Sequence, residues 1–318
     1  MAGARLLDPA FLKKLERLKI QARRAFPGVM RGERRSTRKG SSVEFSDFRK
    51  YEAGDDFRHV DWNIYARLER LMLRQFVEEE DVRIDILIDQ SSSMHFGEPL
   101  TKFDSARKTA AALSFLAVTS LDRVGVATFD SSIRSRVRAM RGRGHLATVL
   151  SFLDSLDKSE KVDRADVETD AQAEQAPRNE GVALTSLAAT LKAYQKNNPR
   201  TGIIFIISDF LDPADFQSEL KLLAHRGFDL NLIQVLSPEE LMPELGGDLL
   251  LVDSETGEAR EITINDRLLR EYRETLSRFT TSLEAFSRTH GIGYTLISAA
   301  EAFEDLLMKN LIESRMAR

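Results

Sequence analysis

Two short clusters of oxygen-bearing side chains follow apolar segments of the chain, and their composition suits a hard metal cation. The first is Asp89-x-Ser91-x-Ser93, after the apolar run 82–88, and the second is Ser208-Asp209, after the run 203–207. Carboxylate and hydroxyl oxygens are ligands for Mg²⁺, which prefers an octahedral shell of about six oxygens and often retains water. Asp89 supplies charge, while the two serines of the first cluster, two positions apart on a turn, can aim their hydroxyls at one point.

Structural and enzymatic roles are the alternatives for the first cluster. A serine-rich turn after a strand often caps the next helix, and an aspartate there often accepts hydrogen bonds from loop amides. A phosphatase of the Asp-x-Asp type would use Asp89 as its nucleophile. It would also need a second carboxylate two residues later to protonate the leaving group, and Ser91 stands there. A nucleotide-binding loop would need glycines that 89–93 lacks. We therefore expect that the protein is not an enzyme.

The elements that must position these clusters alternate between apolar strands and amphipathic helices. This alternation predicts an α/β fold with an open, doubly wound, mostly parallel sheet and helices on both faces. Binding sites in such sheets lie at the carboxyl ends of strands, near the point where the strand order reverses. The predicted strands are 82–88, 123–129, 202–208, 229–236 and 294–298, with 133–138 antiparallel to 123–129. The predicted helices include 103–117, 146–156, 184–195, 213–225, one that ends near 290, and 301–311.

The same patterns divide the chain into two parts. Residues 1–81 combine a basic helix at 9–25 with a mixed segment, 43–81, for which we expect irregular structure and short strands that pack on the main domain. Residues 82–318 form that α/β domain, with an acidic excursion at 157–180 and a hairpin inserted at 248–264. Alternating short strands around a turn predict the hairpin.

Composition excludes several classes of function. The 318 residues carry a net charge of −4 and contain no cysteine, which rules out disulfides, thiolate zinc sites and cysteine nucleophiles. The apolar runs are too short to cross a bilayer, so we expect a cytoplasmic protein. Residues 13–39 hold eleven Lys and Arg against two Glu. This basic arm either binds nucleic acid or an anionic surface, or is a solvated helix face and loop.

A second group of polar residues precedes the domain, at 54–61. Asp55, Asp56, His59 and Asp61 are all groups that bind metals, but their spacing matches no metal motif. Salt bridges to nearby arginines (Arg49, Arg58 and Arg67) explain the acidic residues equally well. The neighbouring Trp62 is expected to be a buried anchor.

The pattern Asp-x-Ser-x-Ser after a strand resembles the metal-ion-dependent adhesion site of von Willebrand factor A-like domains. That site also uses a threonine from a later loop and an aspartate at another strand end. Thr185 and Asp209 match these two positions. The resemblance therefore implies that Mg²⁺ or Mn²⁺ is held by Asp89, Ser91, Ser93, Thr185 and Asp209. It also implies that an Asp or Glu of a partner protein completes the metal's shell.

The segment before the domain resembles the signature of a bacterial family, the domain-of-unknown-function family fifty-eight. Four pieces carry the resemblance: Glu44-Phe45, Arg49-Lys50-Tyr51, residues 54–63, and Ala66-Arg67. Members of that family often accompany MoxR-type AAA+ ATPases. The resemblance implies an adaptor or co-chaperone that works with such an ATPase in the maturation of protein complexes.

Overall fold

The computed structural model describes residues 44–52, 55–77, 82–119, 122–156, 167–169, 187–198, 201–212, 215–252 and 259–300. The described residues divide into two compact units, one within 31–81 and a larger one within 82–300. No helix in these described ranges is both long enough and apolar enough to span a membrane.

The smaller unit consists of a β-hairpin and one short helix. Strand β1 (Glu44–Lys50) pairs antiparallel with β2 (Met72–Val77), and helix α1 (Trp62–Leu68) lies between them in sequence. The side chain of Asp61 caps this helix by accepting hydrogen bonds from two backbone amides. The expectation of a buried tryptophan is wrong, because Trp62 is 59% exposed on the first turn of α1.

The larger unit alternates strands and helices as predicted. Its strands in the described ranges are β3 (Arg83–Asp89), β4 (Arg123–Phe129), β5 (Ile133–Met140), β6 (Val167–Thr169), β7 (Ile203–Ser208), β8 (Asp229–Leu236), β9 (Gly247–Val252), β10 (Ala259–Ile264) and β11 (Gly293–Ser298). Its helices there are α2 (Lys102–Thr119), α3 (Arg143–Ser155), α4 (Leu187–Asn197), α5 (Gln217–His225), α6 (Pro238–Leu241) and α7 (Asp266–Thr289). Strands β9 and β10 form a separate antiparallel hairpin.

The central sheet has the strand order β11-β8-β7-β3-β4-β5-β6. The five strands from β11 to β4 are parallel, and β5 and β6 add antiparallel strands at one edge. The chain runs from β3 through β4 to β5, and then returns to β7 on the other side of β3. The strand order therefore reverses between β3 and β7, which is where open α/β sheets form their binding crevice. The predicted doubly wound fold is confirmed.

Both faces of the sheet are covered by helices. Along β7, Ile203, Phe205 and Ile207 pack in one core with residues of α2 and α3, whereas Ile204 and Ile206 pack in a second core with residues of α4, α5 and α7. All five side chains are 2% exposed or less. Since burial of one such side chain contributes about 1.5–3 kcal/mol, the two cores hold the strand ends in fixed positions.

One buried carboxylate interrupts the apolar pattern of β3. Asp85 is 7% exposed and accepts hydrogen bonds from Arg83 and from the Tyr194 hydroxyl of α4. Arg83 also donates to Asn198, which follows α4. Burial, together with the nearby Asp85 charge, raises the pKa of Tyr194 well above its usual value. This network links α4 to the central strand β3.

Three predicted features lie outside the described residues: the helix at 9–25, the helix at 301–311 and the basic arm at 13–39. Most of the acidic excursion lies outside them too, but its residues 167–169 form β6 and extend the sheet beyond β5. Neither β6 nor the one-turn helix α6 follows from the hydrophobic pattern, because each is too short for a period to repeat several times.

A close backbone approach at Gly202 provides a test of the sheet geometry. A Cβ atom at Gly202 would lie 2.5 Å from the backbone oxygen of Arg83. We expect Gly202→Ala to lower the free energy of unfolding by about 1–3 kcal/mol, because the backbone must shift. At Gly144 in α3, an added Cβ meets nothing within 4 Å, so Gly144→Ala should stabilise by up to about 1 kcal/mol. Urea denaturation of both variants measures the difference, and equal effects would contradict this packing.

Candidate metal centre

The reversal of strand order brings three polar strand ends together at one edge of the sheet. Asp89 is the last residue of β3, Ser208 is the last residue of β7, and Asp209 follows it directly. Strand β8 lies beside β7 and is followed by Ser237 and helix α6. Asp89 and Asp209 are only 4% and 3% exposed. Two carboxylates therefore meet in a nearly dry environment, where each needs compensating hydrogen bonds or charge.

The Asp89 carboxylate is fixed by one hydrogen bond to each of its oxygens. Oδ1 accepts from the backbone amide of Ser91 at 2.9 Å, and Oδ2 accepts from the hydroxyl of Ser208 at 2.6 Å. Burial raises the pKa of Asp89 to about 6, the nearby Asp209 charge adds to the rise, and the Ser208 and Ser91 hydrogen bonds oppose it. The ionised form thus lacks full compensation, and a cation at this point would supply it.

The two serines of the first cluster connect Asp89 to Asp209. The hydroxyls of Ser91 and Ser93 lie 3.1 Å apart, and Ser93 donates to Asp209 Oδ2 at 2.8 Å. Ser91 precedes a short 3₁₀ turn, Ser92–His95, but its side chain makes no capping hydrogen bond. Helix α2 begins several residues later, and there Thr101 caps it by accepting from the Asp104 amide. The helix-capping alternative is therefore wrong for Ser91.

The backbone after β7 turns sharply to present Asp209. Phe210 has a left-handed backbone, with φ of 58°, which is uncommon for a residue other than glycine. Its ring is fully buried and its amide donates to the Ser208 hydroxyl, so packing and hydrogen bonding hold the turn. The backbone carbonyl of Asp209 accepts from the side-chain amide of Gln234 on β8, and the side-chain oxygen of Gln234 accepts from the Tyr294 hydroxyl. These contacts fix the carboxylate before any ligand arrives.

A buried lysine that sequence reasoning did not identify completes the cluster. The side chain of Lys102, in the first turn of α2, is 0% exposed. Its Nζ donates to Asp209 Oδ2 at 2.8 Å and to Glu240 Oε1 at 2.6 Å. Glu240 belongs to α6, where its other carboxylate oxygen accepts from the Ser237 amide and its own amide donates to the Ser237 hydroxyl. This reciprocal pair is a capping box, which fixes both the helix and the carboxylate.

The sequence contained a signal for one of these two residues but not for the other. Ser237-Pro238-Glu239-Glu240 has the serine, the proline and the glutamate of a capped helix start, so α6 and the orientation of Glu240 could have been predicted. Lys102 gives no such signal. A lysine in the first turn of a helix is normally exposed, and only the positions of β7 and α6 explain its burial.

The oxygen atoms of the site fit a small hard cation. Ligands in an octahedral Mg²⁺ shell lie about 3 Å from one another, and the spacings of 3.1 Å and 2.8 Å along Ser91, Ser93 and Asp209 match this value. Within the described ranges, no group of three His, Cys, Asp or Glu side chains is placed to hold a metal ion by itself. The donor set is therefore rich in hydroxyls and suits Mg²⁺ or Mn²⁺ better than a softer metal.

The structure brings together four of the five residues predicted to hold a metal: Asp89, Ser91, Ser93 and Asp209. The fifth, Thr185, lies outside the described residues. The contacts described at 54–61 are structural. Arg49 forms two hydrogen bonds with the carboxylate of Asp55, and Arg58 pairs with Asp56. Together with the helix cap at Asp61, these contacts account for the three acidic residues of that segment.

Comparison with known proteins gives a family and several relatives. A family model described as "Protein of unknown function DUF58" matches residues 47–281. An uncharacterized protein of Mycobacterium tuberculosis (strain ATCC 25618 / H37Rv) is 29% identical over 263 residues, which cover 82% of this chain and 76% of that protein. An uncharacterized protein of Mycobacterium avium is 40% identical over 83 residues, which cover 26% of this chain and 48% of that protein.

Two solved structures are similar at low sequence identity. BatB from Bacteroides thetaiotaomicron, described as a conserved hypothetical protein, superposes with a TM-score of 0.40 at 13% identity, covering 74% of this chain and 99% of that one. Proximal thread matrix protein 1 from the mussel byssus, solved with a zinc occupied MIDAS motif, has a TM-score of 0.33 at 16% identity. That match covers 49% of this chain and 38% of the mussel protein's chain.

The hydrogen bond from Ser208 to Asp89 can be tested by removing one hydroxyl. We expect Ser208→Ala to lower the free energy of unfolding by about 1.5–3 kcal/mol at pH 8, because the donor serves a buried ionised group. The matched control is Ser218→Ala, which removes an exposed hydrogen bond to Asp215 and should change stability by less than about 0.5 kcal/mol. Urea denaturation in excess chelator measures both values. If Ser208→Ala lowered the free energy of unfolding by no more than the control does, this hydrogen bond would not support the site.

Proposed function

Because the chain belongs to the DUF58 family, whose description assigns no activity, we propose a function from its site: a divalent-metal-dependent protein-interaction module. The observation that carries the proposal is the row of oxygens from Asp89 through Ser91 and Ser93 to Asp209 at the reversal of strand order. These four residues would hold Mg²⁺ or Mn²⁺, with Thr185 as a fifth ligand by resemblance. The bound cation would supply a positive centre that attracts a carboxylate of another protein.

Residue chemistry favours binding over catalysis. Ser91 occupies the place of the acid that an aspartyl phosphatase needs, and a serine hydroxyl does not protonate a leaving group near neutral pH. Both oxygens of Asp89 already accept hydrogen bonds, which orients the carboxylate as a ligand and not as a free nucleophile. Ser93 is only partly buried, so the row of oxygens reaches the surface, where a partner can approach.

Exposed apolar side chains support a protein as the ligand. Each of the three loops that carry the site also exposes one large apolar residue within three positions of a site residue. These are Phe96 after Ser93, Leu211 after Asp209, and Met242 after Glu240, with exposed fractions of 51%, 46% and 71%. Exposed apolar residues on the segments that carry a polar centre are typical of protein interaction surfaces.

For the partner, we propose a MoxR-type AAA+ ATPase or a client of that ATPase that provides an Asp or Glu to the metal. The resemblance of residues 44–67 to the family signature supports this choice. In this proposal the protein is a cytoplasmic adaptor or co-chaperone in the maturation of protein complexes.

Metal binding is tested by titration calorimetry with Mg²⁺ and Mn²⁺. The wild type should bind, whereas Asp89→Ala should lose binding and keep its circular dichroism spectrum, because removing a buried carboxylate also removes its desolvation cost. Asp229→Ala is a matched control, since Asp229 is the first residue of β8 and lies at the amino ends of the parallel strands, opposite the site. It should bind like the wild type. Unchanged affinity in Asp89→Ala would overturn the site.

Partner binding is tested by affinity capture from the native host, with Mg²⁺ or with chelator. We expect an AAA+ ATPase to be recovered in the presence of Mg²⁺ and not in the presence of chelator. Leu211→Ser should reduce that recovery at least about fivefold, because its loop carries Asp209 and interface anchors of this kind contribute roughly 1 kcal/mol or more. The matched control is Leu222→Ser in α5, whose side chain is 47% exposed, close to the 46% of Leu211. Equal recovery in chelator would contradict a metal-dependent interaction.

A further inference from the structure

The buried ammonium of Lys102 is the feature of the site that the proposed function does not use. A fully buried lysine is rare unless it is paired, because its charge is costly to remove from water. Lys102 has two carboxylate partners, Asp209 and Glu240, and they lie at 2.8 Å and 2.6 Å from its Nζ. One of these partners is also a predicted metal ligand. The lysine therefore places a positive charge directly against the cation site.

We propose that Lys102 is the internal counter-cation of this site and that it sets the affinity for the divalent metal. The ammonium binds Asp209 Oδ2, the same atom that accepts from Ser93, so it withdraws part of the Asp209 charge from any cation held by the serines. This inference rests on the proposed function, because it concerns the same metal site.

Glu240 controls how strongly the lysine acts on Asp209. Both oxygens of the Glu240 carboxylate are used, one by Lys102 Nζ and one by the Ser237 amide. The Glu240 carbonyl also accepts from the Tyr272 hydroxyl of α7. Glu240 is thus a fixed second anion that shares the ammonium. If that anion is removed, the whole lysine charge acts on Asp209.

The charges predict opposite effects for two substitutions. When ionised, three carboxylates (Asp89, Asp209 and Glu240) and one ammonium give the site a formal charge of −2. Loss of the ammonium makes this charge −3, and loss of the Glu240 carboxylate makes it −1. Since the attraction for a divalent cation grows with the negative charge around it, Lys102→Met should strengthen metal binding and Glu240→Gln should weaken it.

The test is calorimetric titration of Mn²⁺ into the full-length wild type and variants. We expect Lys102→Met to bind about tenfold more tightly and Glu240→Gln about tenfold more weakly. The matched controls are Lys108→Met, an exposed lysine of the same helix, and Glu239→Gln, the exposed neighbour of Glu240. Both should stay within about twofold of the wild type, since their charges are screened by water.

A second measurement separates this role from a purely structural one. Without metal, Lys102→Met should melt at a lower temperature than the wild type, because the buried Asp209 and the half-buried Glu240 lose their partner. Saturating Mn²⁺ should then raise its melting temperature by more than it raises that of the wild type, since a tighter ligand stabilises more. A structural lysine predicts the first effect without the second. If Lys102→Met does not fold, the Mn²⁺ affinity of Glu240→Gln is the deciding measurement. An affinity equal to or higher than that of the wild type overturns the proposal.

Failure of this inference and failure of the proposed function give different results. If the wild type binds Mn²⁺, Asp89→Ala does not, and Lys102→Met binds like the wild type, the metal site stands and the role of the lysine is overturned. If neither the wild type nor Lys102→Met binds, both are overturned. If Lys102→Met binds Mn²⁺ and the wild type does not, the role of the lysine as counter-cation is supported. The proposal that the wild-type protein binds a partner through the metal is then overturned.

Discussion

The meeting of two buried carboxylates at the reversal of strand order is the constraint on which the rest of the site depends. Asp89 ends one strand and Asp209 follows another, and both strands have apolar residues covered on both faces, so neither side chain can turn to bulk water. Every polar contact around them offsets this cost. Asp89 receives an amide and a hydroxyl, and Asp209 receives a hydroxyl, an amide and the Lys102 ammonium. The site is preorganised because its anions must be stabilised even without a ligand.

That requirement also explains the irregular backbone around the site. The left-handed residue Phe210 costs conformational energy, and it persists because the buried ring and the Ser208 hydroxyl hold it. Helix α6 has only one turn, too short to be stable alone. Its capping box and the hydrogen bond from Tyr272 keep it in place, so Glu240 can hold the lysine. Local strain and short elements are found where they position a charge.

Most of the fold followed from the sequence, and the centre of the site followed only in part. Strand β8 begins and ends where the apolar pattern predicts, because long buried strands leave a clear signal. Asp89, Ser91, Ser93 and Asp209 were found because short polar residues directly after such strands share one edge of a parallel sheet. Lys102 was missed because its burial depends on α6 and β7, which are distant in sequence. Trp62 was predicted to be buried from its residue type alone, and its position on an exposed face of α1 could not be read from that.

The buried lysine also bears on how a metal site of this kind would accept an acidic partner. Two carboxylate ligands and the nearby Glu240 would together outweigh the charge of a divalent cation and repel a further carboxylate. With Lys102 in place, the four charged groups and the cation sum to zero, so an approaching Asp or Glu meets no net repulsion. Under linkage, a partner that adds a carboxylate to the metal would tighten metal binding by the same factor by which the metal tightens the partner.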